Sequence, residues 1–399
     1  MKRAFKFISL FRSLFGPSEK LSTQSIERKG LLAVKIAQMY AVRSDLLSSE
    51  TCAKLRSLFE TTSPIPWETV ESVLQKSATP EFHQRLQTID QTPLATASLG
   101  QVHRATLNSG EQVVVKIIKP QAQASFEKDL RTVKRLAQCA IIFYPKLKRL
   151  ADPIGTIETI ARLTRTELDL RNESRGTLQL QELRDKRPDL SHLHALHFPK
   201  IYADLTSSEV LVSEYIEHKS VSRGLEDGSF TYQHLLHLFR IQGYFLFLNA
   251  KFHGDLHPGN VFFHNEEFWF LDNAYIEETD LTFSKGLLKF LGELGEGDYS
   301  SAAQTMENLS LSPPKDASQY YERFTKLYEG FESGTSSLTN QMMETVKLCV
   351  HSGMEFPQGA FPIIKSLMYL DGMALKCAPE AKLLDDVLAY TVTDRETPS

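Results

Sequence analysis

The chain has 399 residues, enough for two lobes that each bury a core. With 24% charged and 42% hydrophobic residues it is neither disordered nor fibrous, and a net charge of −4 gives no global electrostatic reason to expect nucleic acid as a partner. Cys52, Cys139, Cys349 and Cys377 are scattered, without a CxxC pair or zinc spacing, which suits a reducing compartment.

Residues 1–27 form a basic amphipathic segment, in which Lys2, Arg3, Lys6, Arg12 and Lys20 stand among Phe5, Phe7, Ile8, Leu10, Phe11, Leu14 and Phe15. It lacks the long apolar centre and small-residue cleavage site of a secretory signal. The pattern suits an anionic membrane surface, a transit peptide, or a helix packed on the domain. The best apolar run, residues 244–248, falls far short of the roughly 20 residues a membrane-spanning helix needs.

Residues 28–90 read as a helical extension. Leu31, Leu32, Val34, Ile36, Met39, Tyr40 and Val42 give one apolar face, and a second helix runs through Leu55 and Phe59. Residues 63–66 make a turn before a helix from Trp67. Residues 91–217 read as a β-containing lobe, with strands at 105–107 and Gln112–Ile118 around the turn Asn108-Ser109-Gly110. Helical patterns follow at 126–139 and from 156 to about 183, then strands at 201–203 and 210–215. Residues 218–399 read as a helical lobe, interrupted by 253–260 and by short strands at 261–263 and 268–271. From Phe283 onward only helices are expected, with no further catalytic cluster. A small β-containing half before a larger helical half makes the fold class α+β.

The most informative string is His253-Gly254-Asp255-Leu256-His257-Pro258-Gly259-Asn260, followed by Asp272 at a strand end. Phosphoryl transfer needs a carboxylate that orients the attacking oxygen, and oxygen ligands for the magnesium that bridges the phosphates. Asp255 suits the first task, Asn260 and Asp272 the second. Isolated Asp and Asn at a turn are usually only caps, but the complete string is far more specific. His253 and His257 lack a third ligand for a zinc site, and His253 is expected to brace the loop by hydrogen bonds.

Upstream, Val113-Val114-Val115-Lys116 is a β-branched run that ends in a cation. Such a lysine commonly just reaches solvent. With the three downstream groups present, Lys116 is read as neutralising the phosphates, held by a carboxylate among Glu167, Asp169 and Glu173. A glycine-rich loop is missing. In its place Ala95, Ala97, Ser98, Gly100 and Gln101 supply mostly small residues that admit backbone N–H groups near a phosphate, Gly100 alone being free of a Cβ. The implied ligands are ATP or ADP and Mg2+.

On these residues the chain resembles the UbiB-type atypical kinases, also called the AarF-domain family, over roughly residues 28–390. The family's KxGQ helix, alanine-rich nucleotide loop, ExD motif and HxDxHPGN loop correspond to Lys35-Ile36-Ala37-Gln38, residues 95–101, Glu167-Leu168-Asp169 and residues 253–260. Arg43 and Asp45-Leu46-Leu47 also match the stretch after KxGQ. The resemblance implies a protein-kinase-like, two-lobed fold in which the helical extension covers the cleft. It implies Glu173 as the partner of Lys116, and Glu214 and Tyr215 as the hinge that holds adenine by backbone hydrogen bonds. It further implies that Lys35 and Gln38 face Glu167 and Asp169 and close off the space of a peptide substrate. Such members look like ATPases, or small-molecule or lipid kinases, that support ubiquinone biosynthesis or membrane lipid homeostasis. The implied surroundings are quinone or lipid precursors, quinone-biosynthesis proteins and an anionic membrane surface, in a bacterial cytoplasm with peripheral attachment to the inner membrane or, alternatively, in a mitochondrial or plastid matrix.

Departures from the pattern bear on activity. Ala37 replaces a glycine, Ala41 and Ser48 replace the usual Ser and Pro, and Asn273-Ala274 replaces Phe-Gly after Asp272. Loss of that glycine removes easy access to positive φ and predicts a more rigid metal loop. Two alternatives stay open: an aminoglycoside- or choline-type phosphotransferase, which shares the catalytic loop but not KxGQ or ExD, and a nucleotide-binding pseudokinase that serves as a scaffold.

Overall fold

A computed structural model describes residues 2–41, 47–56, 58, 64–97, 99–144, 153–332, 337–357 and 360–386. The chain divides into two compact units, one of Met1–Arg175 with Pro199–Tyr215, the other of Gly176–Phe198 with Ile216–Ser399.

The first unit holds a five-stranded antiparallel sheet. Its strands are β1 (Leu86–Ile89), β2 (Ala95–Thr96), β3 (Gly100–Leu107), β4 (Gln112–Ile118) and β6 (Val210–Glu214), in the order β1-β3-β4-β6 with β2 also on β3, while β5 (Leu196–His197) belongs to the second unit. The period-2 rule explains β4: Val113, Val115 and Ile117 are fully buried on one face, so Lys116 projects from the other. The hairpin turns at Gly110, whose φ of 87° suits a residue without a Cβ. Val113, Val115 and Ile117 pack with Val210, Val212 and Leu205 against Val70, Leu74 and Phe82 of α5 (Trp67–Ser77) and α6 (Pro80–Arg85).

A second core of this unit gathers helices α1 (Lys2–Leu14), α2 (Thr23–Glu27), α3 (Leu31–Tyr40), α4 (Ser49–Arg56), α7 (Ala122–Phe143) and α8 (Pro153–Glu167). Phe7, Leu10 and Leu14 of α1 are buried in it, and Arg3 and Lys6 pair with the buried carboxylate of Asp129 on α7. Ala37 is fully buried on α3, so the methyl that replaces the family's glycine is packed within this core. Ser48 caps α4, its Oγ accepting from Thr51 N at 3.2 Å, a task the family's proline at that position has no side-chain oxygen to perform. Arg43, Asp45 and Leu46 lie outside the described residues.

Two readings of this region need correction. The helix expected from 156 to 183 is two helices, α8 and α9 (Arg171–Asp185). The break arises because Asp169 Oδ1 accepts from Arg171 N at 3.2 Å while Leu168 and Leu170 turn into the core. At 201–203 only Ile201 bridges, to Ser213, and Ala203–Leu205 forms a 3-10 turn stabilised by Thr206 Oγ1 donating to Tyr202 O at 2.9 Å.

The second unit has one large core. A four-stranded sheet runs β5-β10-β9-β7, with β7 (Lys219–Ser220), β9 (Val261–His264) and β10 (Glu267–Phe270), and β8 (Lys251–His253) pairs with β11 (Ile276–Glu278). Around them lie α10 (Val221–Asp227), α11 (Tyr232–Gly243), α12 (Leu281–Gly295), α13 (Tyr299–Leu309), α14 (Ala317–Glu332), α15 (Leu338–His351) and α16 (Ala360–Cys377). Strands β5, β7, β8 and β11 span only two or three residues, too short to show an alternating pattern. Among the described residues no helix is long and apolar enough to cross a membrane.

Candidate active site

In the first unit, Lys116 Nζ lies 3.0 Å from Glu173 Oε2, with the two side chains 22% and 11% exposed. β4 carries the lysine and the first turn of α9 the glutamate. Removing one member of so enclosed a pair strands the other charge, which is why the pair defines the local geometry.

Lys35 on α3 is ion-paired with Glu167 Oε2 at the end of α8. The other half of the implied arrangement is absent. Asp169 is held by its neighbour Arg171 at 2.8 and 2.7 Å, and this guanidinium, foremost, keeps the carboxyl below the usual range. A planar fork two residues away outcompetes a distant flexible amine. Gln38 turns elsewhere, donating to Leu58 O at 2.9 Å.

The loop read as a phosphate cradle is built differently. Ala95-Thr96 pairs with Gln101-Val102, and Ala97 N–H closes the turn onto Gly100 O at 2.8 Å. A Cβ at Gly100 would lie 1.8 Å from Ile117 O, so the glycine serves the cross-strand approach to β4. Gln101 is buried and pairs with the backbone of Ile65, accepting from its N–H at 2.9 Å, while its amide nitrogen lies 2.9 Å from His103 Nε2. Its side chain anchors the segment ahead of α5 and is spent on that contact. Ser98 lies outside the described residues.

The segment implied as the hinge has its N–H groups engaged. Glu214 N–H donates to Lys200 O at 2.8 Å and Tyr215 N–H to Gln112 O at 3.2 Å, so both backbone donors are engaged in the sheet. The Glu214 carboxylate accepts from Lys200 N at 3.1 Å, and Arg104 stacks over the Tyr215 ring at 4.5 Å.

In the second unit, the loop after β8 is braced by His253. Its Nε2–H donates to Leu271 O at 2.9 Å and its Nδ1 accepts from Asp255 N at 3.1 Å, which fixes one neutral tautomer. Burial, foremost, lowers its pKa below the ordinary histidine value. His257 Nδ1 accepts from Gly259 N at 3.1 Å and caps the 3-10 turn Pro258–Asn260. Asn260 Nδ2 donates to Asp255 O at 3.0 Å. That bond fixes the amide's orientation and leaves its oxygen as the group that suits a hard cation.

Asp272 itself takes the left-handed conformation, at φ 56°, which the short polar side chain of an aspartate tolerates better than most. The positive φ therefore sits at the aspartate, and Ala274 is not among the positive-φ residues, so the loop does not use the access to positive φ that a glycine there would give. Asn273 explains how the loop holds without the family's phenylalanine. It is buried, and its Nδ2 donates to Thr177 Oγ1 at 3.1 Å and to Phe270 O at 3.0 Å. A Cβ at Gly176 would lie 1.7 Å from Asn273 O, so this glycine lets α9 lie directly on the loop backbone. An oxygen donor pair of one carboxylate and one amide fits magnesium, which prefers oxygen and retains several waters.

Sequence reasoning missed two residues here. Lys365 Nζ and Tyr369 Oη, four apart on α16, donate to Asp255 Oδ1 at 2.8 and 2.7 Å. The sequence predicts only helices beyond Phe283, with no further catalytic cluster. A lysine and a tyrosine at i and i+4 on one helix face were the available signal, but nothing in the sequence says which carboxylate they meet.

The fold is protein-kinase-like. A model of the ABC1 atypical kinase-like domain matches residues 57–306, and the chain belongs to this family of UbiB-type atypical kinases. Relatives include the "Probable protein kinase UbiB" of Aeromonas hydrophila, 26% identical over 380 residues, covering 92% of this chain and 68% of the relative. The protein of the same name from Aliivibrio fischeri is 26% identical over 373 residues, 90% of this chain and 67% of the relative. An uncharacterized Synechocystis sp. protein is 24% identical over 371 residues, 89% of this chain and 90% of that one. Among solved structures, a Mycobacterium tuberculosis protein in complex with erythromycin superposes with a TM-score of 0.56 at 19% identity, covering 98% of this chain and 95% of that one.

Proposed function

We propose that this chain binds ATP or ADP with magnesium and slowly hydrolyses the γ-phosphate or transfers it to a small molecule or lipid. Lys116, positioned by Glu173, neutralises the phosphates, Asn260 and Asp272 hold the magnesium, and Asp255 orients the attacking oxygen. The observation that carries this reading is the loop from His253 to Asn260, whose hydrogen bonds leave the Asn260 oxygen and one Asp255 oxygen for ligands. Family membership and the kinase-like fold support it.

The resemblance supports a role in quinone biosynthesis or membrane lipid homeostasis, with a quinone or lipid precursor and quinone-biosynthesis proteins as partners. An anionic membrane is the surface that α1 suits. Phe5, Ile8 and Phe15 are 67%, 38% and 55% exposed, and Arg12 lies on the same helix face. Sedimentation with anionic vesicles, lost on Phe5→Ser/Phe15→Ser, tests that part.

Phosphate release from ATP by the purified chain tests the chemistry. Slow magnesium-dependent release that Asp272→Asn abolishes supports the proposal. Rapid transfer to choline or an aminoglycoside would favour the phosphotransferase alternative, and nucleotide binding without turnover the scaffold.

A further inference from the structure

Asp255 carries more fixation than an orienting carboxylate needs for folding alone. Lys365 and Tyr369 on α16 converge on a single oxygen, Oδ1, at 2.8 and 2.7 Å, and Lys365 also donates to Gly254 O at 3.2 Å. The Tyr369 ring lies edge-on to His257, with centroids 6.3 Å apart. One lysine and one tyrosine thus hold the aspartate, the carbonyl before it and the imidazole after it. Among the described residues no donor reaches the other oxygen, Oδ2.

We propose that Lys365 and Tyr369 are positioning residues of the phosphate-transfer site, a clamp that fixes Asp255 Oδ1 and presents Oδ2 alone to the attacking hydroxyl or water. The proposal rests on the nucleotide-handling function given above.

A free carboxylate has two equivalent oxygens and a broad terminal torsion. Two donors on Oδ1 remove that equivalence and fix the plane of the group. An acceptor O–H then finds one lone-pair direction, which sets its approach to phosphorus. As the acceptor oxygen bonds to the γ-phosphorus, the bond from phosphorus to the bridging oxygen breaks and its electron pair leaves with the nucleoside diphosphate. The acceptor's proton ends on Oδ2. The Lys365 charge also offsets that of Asp255, so the carboxylate can stand beside a polyanionic phosphoryl group with less repulsion.

The electrostatics agree with this geometry. Burial alone would make Asp255 harder to ionise, but the Lys365 charge and the two donors outweigh it and hold the carboxyl well below its usual range. Burial, foremost, raises the Tyr369 phenol well above its ordinary value, so it stays a donor.

The test uses the full chain with Lys365→Met, Lys365→Arg and Tyr369→Phe. In phosphate-release assays Lys365→Met is expected to lower kcat about tenfold or more with KM for ATP nearly unchanged. Lys365→Arg should restore much of kcat, and Tyr369→Phe should lose less. An unchanged kcat in Lys365→Met, or a loss that Lys365→Arg does not restore, overturns the clamp. A second readout does not need turnover: crystal structures of the wild type and Lys365→Met should show the Asp255 carboxylate plane fixed in the first and rotated in the second. If the wild type releases no phosphate, the hydrolysis reading fails, and the structures still decide: an Asp255 carboxylate unmoved in Lys365→Met overturns the clamp.

Discussion

The Lys116 ammonium stands 3.0 Å from the Glu173 carboxylate, although 57 residues separate them along the chain. Strand β4 fixes one partner by alternation and the start of α9 fixes the other, so both are placed by elements that would form for other reasons. Lys116→Met is expected to weaken nucleotide binding about tenfold to a hundredfold, ~1.4–3 kcal/mol, as a lost charge-assisted contact does. Glu173→Gln should weaken it less, because the lysine keeps its charge but loses its anchor. Titration with a fluorescent ADP analogue measures both.

Gly100→Ala is expected to destabilise the first unit rather than alter phosphate contacts, because the new methyl meets Ile117 O across the hairpin. Overpacking of this kind costs about 1–3 kcal/mol. Chemical denaturation should show the loss, and nucleotide affinity of the folded fraction should change little.

Asn273→Leu removes the donor that Thr177 Oγ1 and Phe270 O share. Leaving buried polar groups unsatisfied costs about 1–3 kcal/mol each. The variant should unfold at lower denaturant and bind magnesium nucleotide more weakly, since Asp272 loses its brace. Calorimetric titration in the presence and absence of magnesium checks the second effect.

Acid should destabilise the second unit in two stages. Burial, foremost, lowers His253, and burial followed by the Arg240 charge lowers His192 to about 4. An unfolded histidine protonates near pH 6.5, so from about 6.5 downward the unfolded chain binds protons that the folded chain refuses, and stability falls with pH. Asp255, depressed in the folded state, contributes stability present above its unfolded value and lost as pH falls through the folded one, so it acts only at lower pH. Urea midpoints at pH 7, 6 and 5 should decline, and His192→Gln should flatten that decline.

How much of this was legible in the sequence depended on whether a signal was local. The β3-β4 hairpin showed itself through Asn108-Ser109-Gly110 and the valine run, and the bracing role of His253 through its place in the string of residues 253–260. The Gln101 contact with Ile65 and the Lys365 contact with Asp255 are long-range, and neither partner's neighbours announce them. Asp169 was misread because the motif's spacing outweighed Arg171, whose closer guanidinium claims the carboxylate. The engagement of the Glu214 and Tyr215 N–H groups was not legible, because it depends on the pairing of β6 and its flanks with other segments.

The central claim is that Asp272 and Asn260 hold a magnesium nucleotide. The most direct measurement is equilibrium binding of ATP by the wild type and Asp272→Ala, each with and without Mg2+, with folding verified by circular dichroism. Magnesium should tighten wild-type binding about tenfold or more, and Asp272→Ala should lose that dependence while remaining folded. Equal affinity with and without the ion in the wild type, or an undiminished magnesium effect in Asp272→Ala, would contradict it.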